Sequence, residues 1–266
     1  MLVLGHKGML GQMVMKYFGS KGYSLQTVSA RFNAEERSRF LKEILQHPQA
    51  VIVNCIGKIK QKTEDDNELL WANALLPMAL NMHLLPTQTL VHPSTDCVFD
   101  GTAGIPYSIA DQPDAIDTYG WSKALGEKAL KERLNTIIFR VSIIGPDENP
   151  EGKGLLSWFL SNKEGAELKG YSNHYWNGIT TLEWCKQVEQ LLQTKNVEKK
   201  VIFEVGGTEE SYSKFEMLQL FQKKYKTNYR VEPFFTSEAM DRRMEPSRKS
   251  NALEEQLDEL LHLGGQ

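Results

Sequence analysis

The chain has 266 residues, 41% hydrophobic and 24% charged, with Lys+Arg 31 against Asp+Glu 34 for a net charge of −3. This excludes a chain without a core, and there is no basic stripe of the kind nucleic-acid binders carry. Three cysteines (Cys55, Cys97, Cys185) cannot build a disulfide framework, no apolar run reaches the roughly 20 residues that span a bilayer, and residues 1–30 lack a signal-peptide pattern. A cytoplasmic protein with no nucleic-acid and no membrane partner is therefore expected.

Met1–Leu4 is an apolar strand that breaks at Gly5. Strands are next expected at Gln26–Val28, Ala50–Asn54, Thr89–His92 and Thr136–Val141. Between them, helical periodicity covers Met9–Phe18, Glu35–Gln46, Glu68–Met82 and Ser122–Arg133. Pro77 is placed to kink the third of these helices. Strands alternating with helices imply right-handed crossovers and a parallel sheet covered on both faces. Beyond residue 145 the alternation loosens into a polar loop running from Gly145-Pro146 to Gly154. A helix over Leu182–Gln193, a strand over Val201–Val205, an amphipathic Ser213–Tyr225, a strand over Tyr229–Phe235 and a helix over Leu253–Leu261 follow. The expected fold is α/β: a doubly wound parallel (Rossmann) sheet in a dinucleotide-binding domain over 1–145, with 182–207 returning to it. Residues 146–266 would mainly form a smaller α/β substrate domain. One continuous α/β domain is the alternative.

Gly5-His6-Lys7-Gly8-Met9-Leu10-Gly11 follows the first strand directly and opens the first helix. Glycines there let a backbone approach a pyrophosphate, and the helix N-terminus offers free N–H groups and a positive dipole end. The spacing is G-x-x-G-x-x-G, and a tight turn without a ligand would use the same glycines. In the strand–turn–helix context, Gly5, Lys7, Gly8, Met9, Leu10 and Gly11 are candidate cofactor residues. The second strand leads into Val28-Ser29-Ala30-Arg31-Phe32-Asn33, with an arginine and no acid. An acid there would hold ribose hydroxyls, whereas Arg31 suits the 2′-phosphate of NADP; NAD stays open.

Tyr119-Gly120-Trp121-Ser122-Lys123 puts a tyrosine and a lysine at i and i+4, on one helical face. An ammonium beside a phenol stabilises phenolate, which would draw the tyrosine from about 10 toward neutrality. Such a tyrosine can protonate a carbonyl oxygen as hydride arrives at carbon. Thr95, at the carboxyl end of the fourth strand, can hydrogen-bond the same oxygen. A surface helix pair would show the same spacing. No G-x-S-x-G surrounds Ser94, and the six histidines lack metal-ligand spacing, so neither a hydrolase nor a metal site is expected.

The glycine loop, Asn54, His92-Pro93-Ser94-Thr95-Asp96-Cys97-Val98-Phe99-Asp100-Gly101 and Tyr119-Gly120-Trp121-Ser122-Lys123-Ala124-Leu125-Gly126-Glu127 occur in the order found in extended short-chain dehydrogenases/reductases. Within that superfamily the strings resemble the dTDP-4-dehydrorhamnose reductases and related sugar-nucleotide reductases, closely over most of 1–145 and loosely beyond. The resemblance implies NADPH- or NADH-dependent reduction of the 4-keto group of a nucleotide-linked deoxysugar, in polysaccharide or glycoconjugate synthesis. It implies Thr95 as the hydroxyl polarising the keto group, Tyr119 as proton donor, and Lys123 as the group lowering the tyrosine pKa and holding the nicotinamide ribose. Asn54, Cys55 and Ile56 would border the adenosine and ribose, and Val98 and Phe99 the substrate. Cys97 stands where an aromatic residue is usual, Ile109 where a glutamate is common, and Asn173–Thr181 replaces a glycine–proline–threonine segment.

In the second half, Trp176 and Asn177 are substrate candidates, although Tyr175-Trp176 fits core packing equally. Arg242 and Arg248, within a basic cluster that also includes Arg243 and Lys249, are candidates for a nucleotide diphosphate. Two other readings stay open: a nucleotide-sugar epimerase, and a regulatory subunit that binds NADP without turnover. A dehydratase is disfavoured, because Thr95 is followed by Asp96-Cys97 rather than by Asp-Glu. A homodimer is compatible with the sequence.

Overall fold

The computed structural model describes residues 1–149, 152–194 and 197–264. In the first part β1 (Leu2–Leu4), α1 (Met9–Ser20), β2 (Gln26–Thr27), α2 (Arg37–Leu45), β3 (Val51–Asn54), α3 (Asp66–Leu70), α4 (Leu76–His83), β4 (Thr89–Ser94), α5 (Thr118–Leu130) and β5 (Thr136–Arg140) alternate. The second part adds β6 (Ile143–Ile144), α6 (Leu155–Leu160), β7 (Glu167–Tyr171), β8 (His174–Trp176), β9 (Ile179–Thr180), α7 (Thr181–Thr194) and β10 (Val201–Thr208). It ends with β11 (Tyr212–Ser213), α8 (Lys214–Tyr225), β12 (Arg230–Phe234), β13 (Met240–Asp241), β14 (Arg248–Ser250) and α9 (Leu253–Gly264).

Seven strands form one sheet in the order β14-β10-β5-β4-β3-β1-β2, with every neighbouring pair parallel. Successive strand residues point to opposite faces, so alternate apolar residues sort into two cores. Leu2, Leu4, Ile52, Leu90 and Ile138 pack beneath α2 and α4 with Phe40, Ile44, Leu76 and Leu80. Val3, Val53, Val91, Ile137 and Phe139 pack on the other face with Val14 and Phe18 of α1 and Trp184 and Val188 of α7. The second cluster continues without a break into Phe159, Met217, Phe221 and Leu257. The C-terminal elements thus share the sheet's core, and their small sheets (β11-β8-β13, β12-β7 and β6-β9) sit on it. The return to the central sheet extends past residue 207, because β14 pairs with β10 through Arg248↔Gly206 to Ser250↔Thr208.

Two helices differ from the periodicity. α5 starts at Thr118, four residues before the expected start, because the Asp117 carboxylate accepts from Gly120 N at 2.8 Å and caps it. This puts Tyr119 in the first turn. The 68–82 stretch does not simply kink at Pro77: a π-helical turn over Trp71–Leu75 joins α3 to α4 just before it. Pro77 has no N–H for the Asn73 carbonyl four residues back, so the ladder widens there. The bulge presses the Asn73 carbonyl against α5, where a Cβ on Gly126 would lie 2.3 Å from it.

The buried Glu127 carboxylate accepts from Arg140 Nε at 2.9 Å and Nη2 at 2.6 Å, tying α5 to the end of β5. Arg140 lies between the rings of Phe99 and Phe203, 5.0 and 4.8 Å from their centroids. Removing one partner leaves a charge unpaired in an apolar setting. Glu127→Leu is expected to cost about 3–5 kcal/mol in urea denaturation; a loss below about 1 kcal/mol would contradict this placement.

Candidate active site

The sheet order reverses between β1 and β3, and in open α/β sheets ligands bind at such a switch point, beyond the carboxyl ends of the strands. Gly5 turns the chain there with φ +75°, which glycine adopts without steric cost. Gly8 N donates to Gly5 O at 3.1 Å. A Cβ on Gly11 would lie 2.2 Å from Gly5 O, so that glycine is required for packing. Gly8 is different. Its φ is −86°, and a Cβ would meet nothing nearer than Gly5 O at 3.6 Å. The fold itself does not demand glycine at this position; its absent side chain keeps space open over the N-terminus of α1, as a pyrophosphate needs.

Beside this turn lies a groove of about 580 Å³ lined by Gly5, His6 and Lys7, the loop 28–34, Ile56, Lys58 and Trp71. Glu43 holds the loop, accepting from Ser29 N at 2.6 Å and Ala30 N at 3.3 Å. Those hydrogen bonds, with the Ser29 hydroxyl and Arg39, keep the Glu43 carboxyl below its usual range. Arg31 is exposed at the rim, and its guanidinium has no partner among the described residues. Lys58, which the sequence did not single out, lines the same rim and pairs with Glu68 at 2.5 Å.

Several candidates turn away from this groove. Leu10 faces the core, as its place on the inner side of an amphipathic helix requires. Cys55 packs against the same core, and burial raises its thiol pKa. Asn54 is fully buried; its amide nitrogen lies 3.2 Å from His92 Nδ1, and its oxygen accepts from Ile56 N at 3.2 Å, joining the ends of β3 and β4. Met9 lies against the Gly154 turn, with its sulfur 3.3 Å from where a Cβ would stand.

Thr95, Tyr119 and Lys123 converge at the carboxyl end of β4. Thr95 caps a 3₁₀ turn over Asp96–Val98, accepting from Cys97 N at 3.2 Å while its hydroxyl donates to Asp96 Oδ1 at 2.9 Å. Tyr119 hydrogen-bonds with Thr95, but burial dominates and raises the phenol above its ordinary value near 10. Lys123 does not bring it down: its ammonium donates to Pro93 O at 2.7 Å, and burial lowers Lys123 itself to about 8. The expected fall of the tyrosine toward neutrality is therefore reversed in the protein alone, because desolvation outweighs a cation occupied elsewhere.

On the far side of Tyr119 opens a cleft of about 670 Å³ between the two parts of the chain. Asp96, Cys97, Tyr119 and Ser142 form one wall, and Trp158, Tyr171, His174, Tyr175 and Trp176 give an aromatic one. Lys60, Lys169, Lys214 and Arg242 also line it. Arg242 is set by Phe99 O at 2.9 Å, Asp100 O at 3.3 Å and the Cys97 sulfur at 3.7 Å. Of the substrate candidates, Trp176 and Arg242 are here.

The others are not. Val98 and Phe99 turn inward after the 3₁₀ turn and pack with Tyr107, Val205 and Met244; Phe99 stacks on Tyr107 at 4.0 Å. Asn177 is spent on structure, donating to Met244 O at 2.8 Å and Thr208 O at 3.2 Å and accepting from Met244 N at 3.0 Å. Arg248, on β14, reaches Gln190 of α7 in a separate polar groove, because its strand joins the far edge of the sheet. Lys60 and Lys214 were not foreseen, whereas His174 lies in the Asn173–Thr181 string that the sequence offered for substrate contacts. The Ser213–Glu216 capping box was the available signal that Lys214 opens a helix.

A doubly wound sheet with a glycine turn at its switch point and Thr95, Tyr119 and Lys123 at its carboxyl edge defines a protein of the extended short-chain dehydrogenase/reductase type. The chain belongs to the RmlD substrate binding domain family, which it matches over residues 1–262. It is 30% identical over 186 residues to methionine adenosyltransferase 2 subunit beta of Danio rerio, covering 62% of this chain and 54% of that one. It is also 30% identical over 144 residues to dTDP-4-dehydrorhamnose reductase of Streptomyces griseus, covering 50% and 45%. The chain thus spans about half the length of these relatives. Its fold superposes on dTDP-4-dehydrorhamnose reductase of Bacillus anthracis, solved with NADP, at a TM-score of 0.82, 18% identity and 98% coverage of each chain.

With burial raising its pKa, Tyr119 is expected to stay protonated, the form a general acid needs, throughout the neutral range. Ultraviolet difference titration of the cofactor-free protein against Tyr119→Phe should show no phenolate from this residue below pH 10; a transition near neutrality would contradict the burial argument.

Proposed function

We propose that the chain is an NADP-preferring reductase of the keto group of a nucleotide-linked deoxysugar. One observation carries this reading: the segment from Ile56 to Lys60 runs from the groove beside the glycine turn to a cleft with aromatic and cationic walls that Tyr119 lines. The aromatic wall suits a nucleotide base, and the cations suit a diphosphate. The family and the NADP complex of the Bacillus anthracis reductase support the same direction.

Gly5, Gly8 and the N-terminus of α1 would hold the pyrophosphate, the 28–34 loop the adenosine, and Arg31 the 2′-phosphate. When bound there, the cofactor would supply the hydride for the carbonyl carbon. Tyr119 gives its proton to the carbonyl oxygen, and its raised pKa keeps that proton available. Thr95 hydrogen-bonds the phenol and directs its own proton to Asp96, so a substrate oxygen entering here would compete with Asp96 for the threonine hydroxyl. Lys123, on the same helical face as Tyr119 and positioned by Pro93 O, would hold a ribose hydroxyl of the bound cofactor. The resemblance to an adenosyltransferase subunit favours one second reading, a subunit that binds the cofactor without turnover.

Tyr119→Phe is expected to keep NADPH affinity and to lose about 10²–10⁴ in the rate of NADPH oxidation with nucleotide 4-keto sugars. Binding of NADPH without oxidation across such a panel, by wild type and variant alike, would favour the subunit reading. In calorimetric titration, Gly8→Ala should weaken NADPH binding at least tenfold with little change in melting temperature, whereas Gly11→Ala should lower the melting temperature itself. Arg31→Ala should weaken NADPH and spare NADH; equal losses would remove Arg31 from cofactor selection.

A further inference from the structure

Carbonyl reduction through Tyr119, Thr95 and Lys123 makes no use of two proton-carrying groups that line the same cleft, Cys97 and Lys214. The Cys97 thiol is free, and the 3₁₀ turn capped by Thr95 carries it onto the wall of Tyr119. Lys214 is the first residue of α8, fixed by the Ser213–Glu216 capping box, and comes from the other part of the chain. Its ammonium stands 5.6 Å from the centroid of the Trp176 ring, on the aromatic wall. Among the described residues it otherwise meets only the Met217 sulfur, at 4.0 Å. The charges that act on Lys214 are those of Asp96, Cys97 and Arg242, and Cys97 acts on Tyr119 as well. Thiol and ammonium thus face each other across the space a keto sugar must enter to reach Tyr119.

Other titratable groups of the cleft are committed elsewhere. Asp96 accepts the Thr95 hydroxyl, and Lys60 pairs with Asp117 at 3.0 Å. His174 Nε2 lies 2.9 Å from Thr236 Oγ1, and its ring stacks on Tyr171 at 4.5 Å. Lys169 lies over the Phe234 ring, 5.1 Å from its centroid. Arg242 stays charged and cannot act as a base, but its Nη1 is 3.7 Å from the Cys97 sulfur, where it would stabilise a thiolate. Burial lowers Lys214 toward the amine and pushes the Cys97 thiol up to about 12. One group is thereby disposed to take a proton and the other to hold one for donation.

We propose that Lys214 and Cys97 are a proton-transfer pair that inverts a carbon beside the keto group, so that the cleft epimerises the sugar it reduces. The proposal rests on the keto-sugar reading above. Lys214, as the amine, takes the proton from a carbon flanking the carbonyl. The C–H electron pair moves toward the carbonyl oxygen, and Tyr119 holds the resulting enolate by a hydrogen bond. Cys97 then gives its thiol proton to the opposite face of the same carbon. The ketone re-forms with that carbon inverted, and the thiolate is left beside Arg242. The Lys214 ammonium releases its proton to water and the thiolate takes one up, so the step needs no oxidant, reductant or leaving group.

Wild type, Lys214→Met and Cys97→Ala are to be incubated in deuterium oxide, without NADPH, with dTDP-, UDP- and GDP-linked 4-keto-6-deoxyhexoses. The sugar protons are followed by NMR against a protein-free control. Calorimetric titration with NADPH serves as the fold control, since the groove beside the glycine turn contains neither residue. For wild type the expected result, with at least one sugar, is deuterium at a carbon flanking the keto group and inversion of that carbon. Lys214→Met should lose both by about 10²-fold or more. Cys97→Ala should keep exchange, because Lys214 still removes and returns a proton on its own face, but lose inversion; a cysteine that merely packs would not separate the two. Wild type that reduces a ketone with NADPH yet incorporates no deuterium would overturn the pair and leave the reductase reading intact. Exchange undiminished in Lys214→Met, or inversion undiminished in Cys97→Ala, would overturn the pair as well. Wild type that exchanges deuterium and reduces no ketone would sustain the pair and remove the reductase reading, and neither reaction with any sugar would overturn both.

Discussion

Gly11 lies so close beneath the Gly5 carbonyl that no side chain fits between them, and the rest of the site is referred to this contact. It seats α1 on the sheet and aims its free N–H groups at the switch point between β1 and β3. The helix cannot back away, because its inner face is locked into the core with Val14 and Phe18 fully buried. With both walls fixed, space stays open over Gly8, where a Cβ would meet nothing nearer than Gly5 O at 3.6 Å. A preformed cradle of this kind reduces the ordering cost of binding.

The chemistry at the other end of the groove is dominated by desolvation. Burial raises Tyr119 and pushes the Cys97 thiol up to about 12, while it lowers Lys123, Lys214 and His92. Each shift favours the neutral form, as expected where water is excluded and partners are few. Such a site is poised for ligands that bring charge with them. Thr95 adds a rigid reference point, because its hydroxyl donates to Asp96 and also accepts from Cys97 N, capping the turn that carries Cys97 into the cleft.

Positioning reaches the site through helices as well as loops. The π-helical turn before Pro77 turns Asn73 so that its side chain accepts from Lys58 N and donates to Lys58 O and the Ser122 hydroxyl. One buried amide thereby joins the rim of the groove beside the glycine turn to the helix that carries Tyr119 and Lys123. The Glu127–Arg140 pair anchors the same helix from its other end. The catalytic candidates are thus held on a rigid element, which favours a defined proton-transfer geometry.

The sequence by itself determined the doubly wound sheet, the order of its motifs, the glycine turn and the Tyr119–Lys123 spacing. These features are local: period-2 and period-3.6 patterns and glycine positions follow from backbone geometry within a few residues. Tertiary structure decided which side chains face a ligand. Val98 and Phe99 sit in a motif that carries chemistry, yet a single 3₁₀ turn directs them into the core and leaves Asp96 and Cys97 outside. Arg242 and Arg248 belong to one basic stretch, but strand pairing sends the second to the far sheet edge. Lys214 is brought to Tyr119 from nearly a hundred residues away by the docking of α8. Charge states were decided the same way: the spacing of Tyr119 and Lys123 promises a lowered phenol, and only burial and the Pro93 carbonyl show why it is raised instead. Burial and long-range pairing are properties of the whole chain, and no window of sequence contains them.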